Sequence, residues 1–381
     1  MKELIKYLKD VRFWGPAGFL IGFELFLQSG LYRNLMQPRS YADNVQRIVD
    51  VAAQSNLKPR MLILGTSVAY QGINVRQLNE ILADPSLQTQ SGACEGAQLE
   101  TQHLIYKALE KQMPDLKIVI HINEATFPWT ARTSLDQPNR SMVAQFPRRM
   151  AFSLLRDYGF QLTVQDWTYF IFRSLTYQKD LRDFVVDPLD RFKGIGRRMR
   201  EGHVDYVYEN PEEFKLSAYH AKNLKECVDI SSKGIPEFDV TGKKITDQHH
   251  QIAVLRTCAV GMVDPIDHPG AEQWGRLYFR RLKMMYDEMY ARGLTVITVF
   301  PPYADLIQDL NQDSRVTIWR EELKKLHGNR PYGLIDMRHS LDGPNNGDFY
   351  YDTIHLNRFG AARFTEELAK RLRQEKLVTG R

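Results

Sequence analysis

Apolar and polar positions alternate in blocks along this chain, and the block lengths predict its elements. "RMLILG" at residues 60–65 is a short continuous apolar run, the signature of a strand covered on both faces. It is followed by "INVRQLNEILA", in which Ile73, Leu78, Ile81 and Leu82 suit one face of a helix. "SLQTQSGACEGAQLETQHLIYKALEKQMP" then predicts a short strand, a glycine-rich turn and a helix with Leu99, Leu104, Ile105 and Leu109 on its apolar side, ending near Pro114. "LKIVIHIN" is again a continuous apolar strand. The rhythm returns with "YFRRLKMMYDEMYARG", which reads as a helix, then "LTVITVFPP", a helix near 314–327, "YGLIDM", and a closing helix with Phe364, Leu368 and Leu372 four apart. Strand–helix alternation of this kind argues for an α/β fold around a parallel sheet.

Two regions break the rhythm. Residues 13–32, "FWGPAGFLIGFELFLQSGLY", are nearly all apolar and of about the length that spans a bilayer, roughly 20 residues. Lys2, Lys6, Lys9 and Arg12 precede the run and favour a cytoplasmic amino end. Glu24 inside it is costly at mid-bilayer, and its glycines and proline weaken it further. No A-x-A cleavage motif follows, so the expectation is a retained membrane anchor over residues 1–35, with the remainder periplasmic or extracellular. The alternatives are a helix packed on the soluble domain, and a cytoplasmic protein. Residues 131–289 show no clear strand and read as a mostly helical insertion or cap. Within it, aromatic and basic residues mix in "FPRRMAFSLLRDYGFQLTVQDWTYFIFRSLTYQ", a stretch that suits a glycan or membrane surface as well as the insertion's own core and rim. The α/β domain is therefore expected in residues 36–130 and 290–381.

Composition adds limits. The 381 residues are 43% hydrophobic and 25% charged, ordinary for a globular protein. Lys and Arg total 51 against 46 Asp and Glu, a formal charge of +5, too small for a nucleic-acid footprint, so no nucleic-acid partner is expected. Cys94, Cys227 and Cys258 have no C-x-x-C spacing, which suggests no structural zinc site, and a Cys227–Cys258 bridge is left open. His249–His250 and Asp264, Asp267 and His268 lack the spacing of a helical ligand pair, so neither metal nor cofactor is expected. Nothing in the pattern sets an oligomeric state.

The chemistry suggested by the chain sits at strand ends. Ser67 follows the first apolar strand, where it serves either as a helix cap or as a nucleophile at the ligand-binding edge of an α/β sheet. Near the other end of the chain, "YYDTIHLNRFGA" places Asp352 three residues before His355, a spacing at which a carboxylate in a turn reaches Nδ1–H of the imidazole. The other ring nitrogen is then available to take a proton from a serine. Donors for a developing oxyanion are at hand in the Ser67 amide, in Gly96 (or Gly92) of "SGACEGA", and in the side chain of Asn123 in "HINEAT". Glu95 and Glu124 beside this hole read as solvated or paired. Cys94 reads as a buried thiol.

This set resembles the SGNH (GDSL-type) hydrolase family: Ser67 in "GTSVAYQG", Gly96 in "SGACEGA", Asn123 in "INEAT", and Asp352 with His355 in "DTIHLN". The resemblance covers roughly residues 60–130 and 290–375. It departs from the family where Thr66 replaces an Asp and Glu124 stands where Asp is common. It implies a flavodoxin-like three-layer α/β/α sandwich with Ser67 as nucleophile, His355 as base, Asp352 orienting it, and Ser67, Gly96 and Asn123 around the oxyanion. With an anchored amino end, it also implies the branch that moves or removes acyl groups on cell-envelope glycans, relatives of alginate acetylation and D-alanine transfer proteins. The expected function is serine-dependent ester hydrolysis or O-acyl transfer on an acylated or hydroxyl-bearing glycan. The alternative is a non-catalytic envelope protein that keeps the fold for glycan binding or assembly.

Overall fold

A computed structural model describes residues 11–54, 59–84, 87–124, 131–201, 210–218, 244, 271–305, 313–330 and 332–375. Five strands form one sheet: β1 (Met61–Leu64), β2 (Thr89–Ser91), β3 (Ile118–Ile122), β4 (Thr295–Phe300) and β5 (Tyr332–Asp336). Every pairing is parallel, in the order β2-β1-β3-β4-β5. That is the flavodoxin-like doubly wound order, so the fold is the expected α/β one with a parallel sheet and a helical insertion.

The reason lies in the side chains. All residues of β1 and β3 are buried, as is β4 apart from its first, because helices cover both faces and leave no room for a polar alternation. Leu78 and Leu82 of helix Val75–Leu82, Leu104, Ile105 and Leu109 of Leu99–Leu109, and Phe364, Leu368 and Leu372 of Arg358–Gln374 are all buried as predicted, while Ile81 is half-buried and Ile73 lies in the turn before its helix. β2 is short and polar in sequence (Thr-Gln-Ser) yet wholly buried, held by Asn79, whose side chain accepts from Thr89 N and donates to its carbonyl oxygen.

The chain divides into two compact units. One, Ile48–Thr133 with Asp205–Arg381, contains the sheet. Helix Ala271–Ala291 belongs to it and packs on β4, so the sheet's own elements begin before residue 290, earlier than the expected boundary. The other, Met1–Arg47 with Ser134–Val204, joins the amino-terminal helix Val11–Gln28 to six helices between residues 137 and 201. The amino-terminal segment and the first half of the insertion, expected as separate domains, therefore fall in one compact unit. Its core gathers Leu27, Tyr32, Met36, Ala42 and Tyr177. A buried ion pair supports it: Arg191 donates to Asp180 Oδ2 at 3.0 Å and to the Leu35 carbonyl at 2.9 Å.

Glu24, the charge that interrupts the apolar run, has a specific task. Its carboxylate accepts from Arg173 N at 2.6 Å and Ser174 N at 3.0 Å, satisfying the exposed amides that open helix Arg173–Thr176. Glu24 and Leu27 near the carboxyl end of helix Val11–Gln28 are thus committed to protein contacts, while Leu25 stays exposed. Among the described residues, no helix is long and apolar enough to cross a membrane.

Candidate active site

β1 ends at Leu64, and the chain turns through Gly65 into helix Ser67–Gly72. A Cβ at Gly65 would lie 2.5 Å from that of Ala69, so only glycine permits so tight a strand-to-helix turn. Thr66 is the residue that caps this helix, its hydroxyl accepting from Val68 N at 3.3 Å. Ser67 is therefore released from capping, and its Oγ lies 2.7 Å from His355 Nε2. His355 Nδ1 lies 2.7 Å from Asp352 Oδ2. Asp352 is itself fixed, since its other oxygen accepts from Ile354 N at 2.9 Å and His355 N at 2.7 Å. With the carboxylate on Nδ1, that nitrogen carries the proton and Nε2 is left as the acceptor for the serine hydroxyl. Ser67, His355 and Asp352 thus come together in a continuous relay, although 288 positions separate the first two.

The loop that delivers Asp352 and His355 is braced on both sides. Tyr351 N donates to the His355 carbonyl at 3.1 Å, and Tyr350 bridges Leu356 in antiparallel fashion. The Tyr351 ring stacks on the imidazole at 5.5 Å between centroids, and its hydroxyl donates to Gln71 at 2.5 Å. Asn357 closes the loop by capping helix Arg358–Gln374, accepting from Phe359 N and Gly360 N at 3.0 Å each. Gly360 passes so near the loop that a Cβ there would stand 2.0 Å from the Phe349 carbonyl oxygen.

Asn123 follows β3, beside the end of β1 in the sheet. The chain leaves β1 for β2 on one side and returns for β3 on the other. The gap between the carboxyl ends of β1 and β3 is the topological switch point, where doubly wound sheets bind ligands. Tyr278 donates to Asn123 Oδ1 at 2.8 Å, and the Asn123 backbone donates to Val299 at 2.9 Å. The buried Nδ2 makes no hydrogen bond. A buried amide whose oxygen is occupied and whose N–H₂ is not is equipped to donate to an incoming acceptor. Of the two glycines in the second turn, Gly92 is excluded as a donor, because its N–H is spent on the Ile63 carbonyl at 2.7 Å. Gly96 lies in the following turn at φ 72°, a left-handed conformation that favours glycine.

The neighbouring carboxyls are more engaged than their sequence suggests. Glu124 is buried and accepts from the Thr66 hydroxyl, which ties the end of β3 to the residue before Ser67. Thr66 thus offers a donor to Glu124 where an aspartate would bring a second negative charge. Burial raises the Glu124 carboxyl above its ordinary range against the opposing pull of Thr66 and His355, and it raises Glu95 likewise. Burial alone would lower His355, but the charge and hydrogen bond of Asp352, helped by Glu124 and Glu95, outweigh it and leave the imidazole above its usual value. Cys94 is buried and its thiol is pushed up by burial and by Glu95, the state of an inert structural cysteine.

Tyr278, Tyr351 and the Thr66–Glu124 pair were not foreseen. Thr66, Glu124 and Tyr351 each stand next in sequence to a candidate residue, whereas Tyr278 does not. Cys227, Cys258, His249, His250, Asp264, Asp267 and His268 lie outside the described residues. Among the described residues, no cluster of His, Cys, Asp and Glu could hold a metal ion. No protein-family model and no curated protein matches this sequence.

Proposed function

We propose that this protein is an SGNH-type serine esterase or O-acyltransferase acting on ester-linked acyl groups of a cell-envelope carbohydrate. The observation that carries this reading is the 2.7 Å approach of Ser67 Oγ to His355 Nε2, with Asp352 on the other ring nitrogen at the same distance. Ser67 attacks the ester carbonyl as its proton passes to His355 Nε2, and the resulting imidazolium is stabilised by Asp352. The tetrahedral oxyanion is met by Asn123 Nδ2 and by the Ser67 and Gly96 amides. Its collapse breaks the ester C–O bond, and the leaving alcohol takes the proton from His355. An acyl-serine remains. Water or a sugar hydroxyl, deprotonated by the same Nε2, attacks it and restores Ser67. Hydrolysis and transfer thus share every residue and differ only in the second nucleophile.

Turnover of a chromogenic acyl ester, with and without an added oligosaccharide acceptor, tests this. A burst of alcohol release equal to the enzyme concentration is expected, and Ser67→Ala should lower turnover by about 10³-fold or more. Acyl-sugar accumulating with the acceptor identifies a transferase. Native, folded protein that turns over no faster than Ser67→Ala would instead fit a binding module.

A further inference from the structure

We infer that the unit built from Met1–Arg47 and Ser134–Val204 docks on the surface of an anionic lipid bilayer, entering one leaflet instead of spanning it. Of the 19 large apolar side chains that are exposed among the described residues, 17 belong to this unit. They fall in stripes. Helix Val11–Gln28 leaves Trp14, Phe19, Leu20 and Ile21 uncovered, Phe19 at 71% exposure. A methyl group added at Gly15, Gly18 or Gly22 would meet nothing within 4 Å, so this half of the helix stands clear of its unit. Helix Val164–Ile171 exposes Val164, Trp167 and Ile171, spaced three and four apart, and buries Asp166 and Phe170 opposite. Helix Pro188–Glu201 exposes Leu189, Phe192 and Met199 on one face while Arg191 and Ile195 are buried. The carboxyl ends of the first two helices meet where Gln28 donates to the Ile171 carbonyl at 3.3 Å.

Charge identifies the occupant. This unit holds 19 Lys and Arg against 12 Asp and Glu, whereas the sheet-bearing unit holds 32 against 34, so the chain's whole positive excess lies here. Lys193 is exposed next in sequence to Phe192, and Arg197 is exposed two positions before Met199 in the same helix. Apolar stripes with tryptophans and flanking basic residues are the composition of helices that lie in a membrane interface. A second copy of the chain would set two positive rims against each other, while acidic headgroups neutralise them. The depth follows from length. The bare stretch Trp14–Gly22 is about 14 Å of helix, roughly half the ~30 Å of hydrocarbon in a bilayer. Beyond it Glu24 and Leu27 are held by protein.

Flotation of the full chain with preformed vesicles tests this. It should rise with vesicles containing phosphatidylglycerol and bind at least tenfold less to pure phosphatidylcholine. The double variant Leu189→Glu/Phe192→Glu should lose at least tenfold in binding while keeping the native melting temperature. Without any substitution, lipids brominated in their acyl chains should quench the tryptophan fluorescence of the bound protein. Protein left in the aqueous fraction with anionic vesicles, absence of quenching, or a dimer that these substitutions dissociate without vesicle binding would each overturn the inference. None of these readouts involves Ser67, so their failure is separate from failure of the proposed chemistry.

Discussion

The proposed chemistry depends on the protonation of a single imidazole, and its neighbours decide that protonation. Asp352 holds the Nδ1 proton in place and outweighs burial, leaving His355 above its ordinary range. A general base must be unprotonated, so ester turnover should fall as pH drops through a value above about 6.5, the free imidazole value. Asp352→Asn removes the contribution that raises His355 and leaves burial, which lowers it. The acid limb of the kcat/KM profile should therefore move to lower pH, while kcat falls on the order of 10⁴-fold through loss of the correct tautomer. An unmoved limb would show that Asp352 does not govern His355. For Asn123→Ala the expected loss is about 10²–10³-fold in kcat, the usual cost of one oxyanion donor, measured in steady-state kinetics with the same ester. The serine, histidine, aspartate and asparagine were legible because each closes a recognisable block at a strand or loop end. Tyr278 on Asn123 and Glu124 on Thr66 were not, since each pairing joins distant segments with no periodicity to announce it.

Strands and helices supply the precision that such contacts require. Four of the five strands were visible as apolar runs, because a sheet covered on both faces admits little else. β2 is buried but polar, and turns on side-chain bonds from Asn79 that no pattern reveals. Helix Val11–Gln28 is the opposite case, in which hydropathy reads one continuous apolar run while Glu24 within it closes the start of another helix. Loop and helix meet at Gly360. In a free helix Gly→Ala is favourable by about 1 kcal/mol. Here the added Cβ meets the Phe349 carbonyl oxygen at 2.0 Å. Gly360→Ala should thus destabilise the protein by about 1–3 kcal/mol in denaturant unfolding, and slow reaction at Ser67 by displacing the loop that carries His355. A stabilised variant would contradict the tight seating of that loop.

Across the molecule, the two proposed tasks fall in two separate units. The sheet-bearing unit is nearly neutral, with 32 basic and 34 acidic residues, and holds the relay from Asp352 to Ser67. The other carries the positive excess and, among the described residues, 17 of the 19 exposed large apolar side chains. This division was hidden in the sequence because residues 11–47 and 134–201 are joined only in space, and a net charge of +5 averages over both bodies. The reading as an acyl-transferring enzyme rests on Ser67 being a nucleophile activated by His355. Peptide mapping after reaction with a fluorophosphonate decides this, since the reagent bonds covalently to an activated serine. A single adduct on Ser67 is expected in the native protein, absent in Ser67→Ala and strongly slowed in His355→Ala. Native, folded protein that carries no adduct, or carries it on another residue, would contradict the assignment.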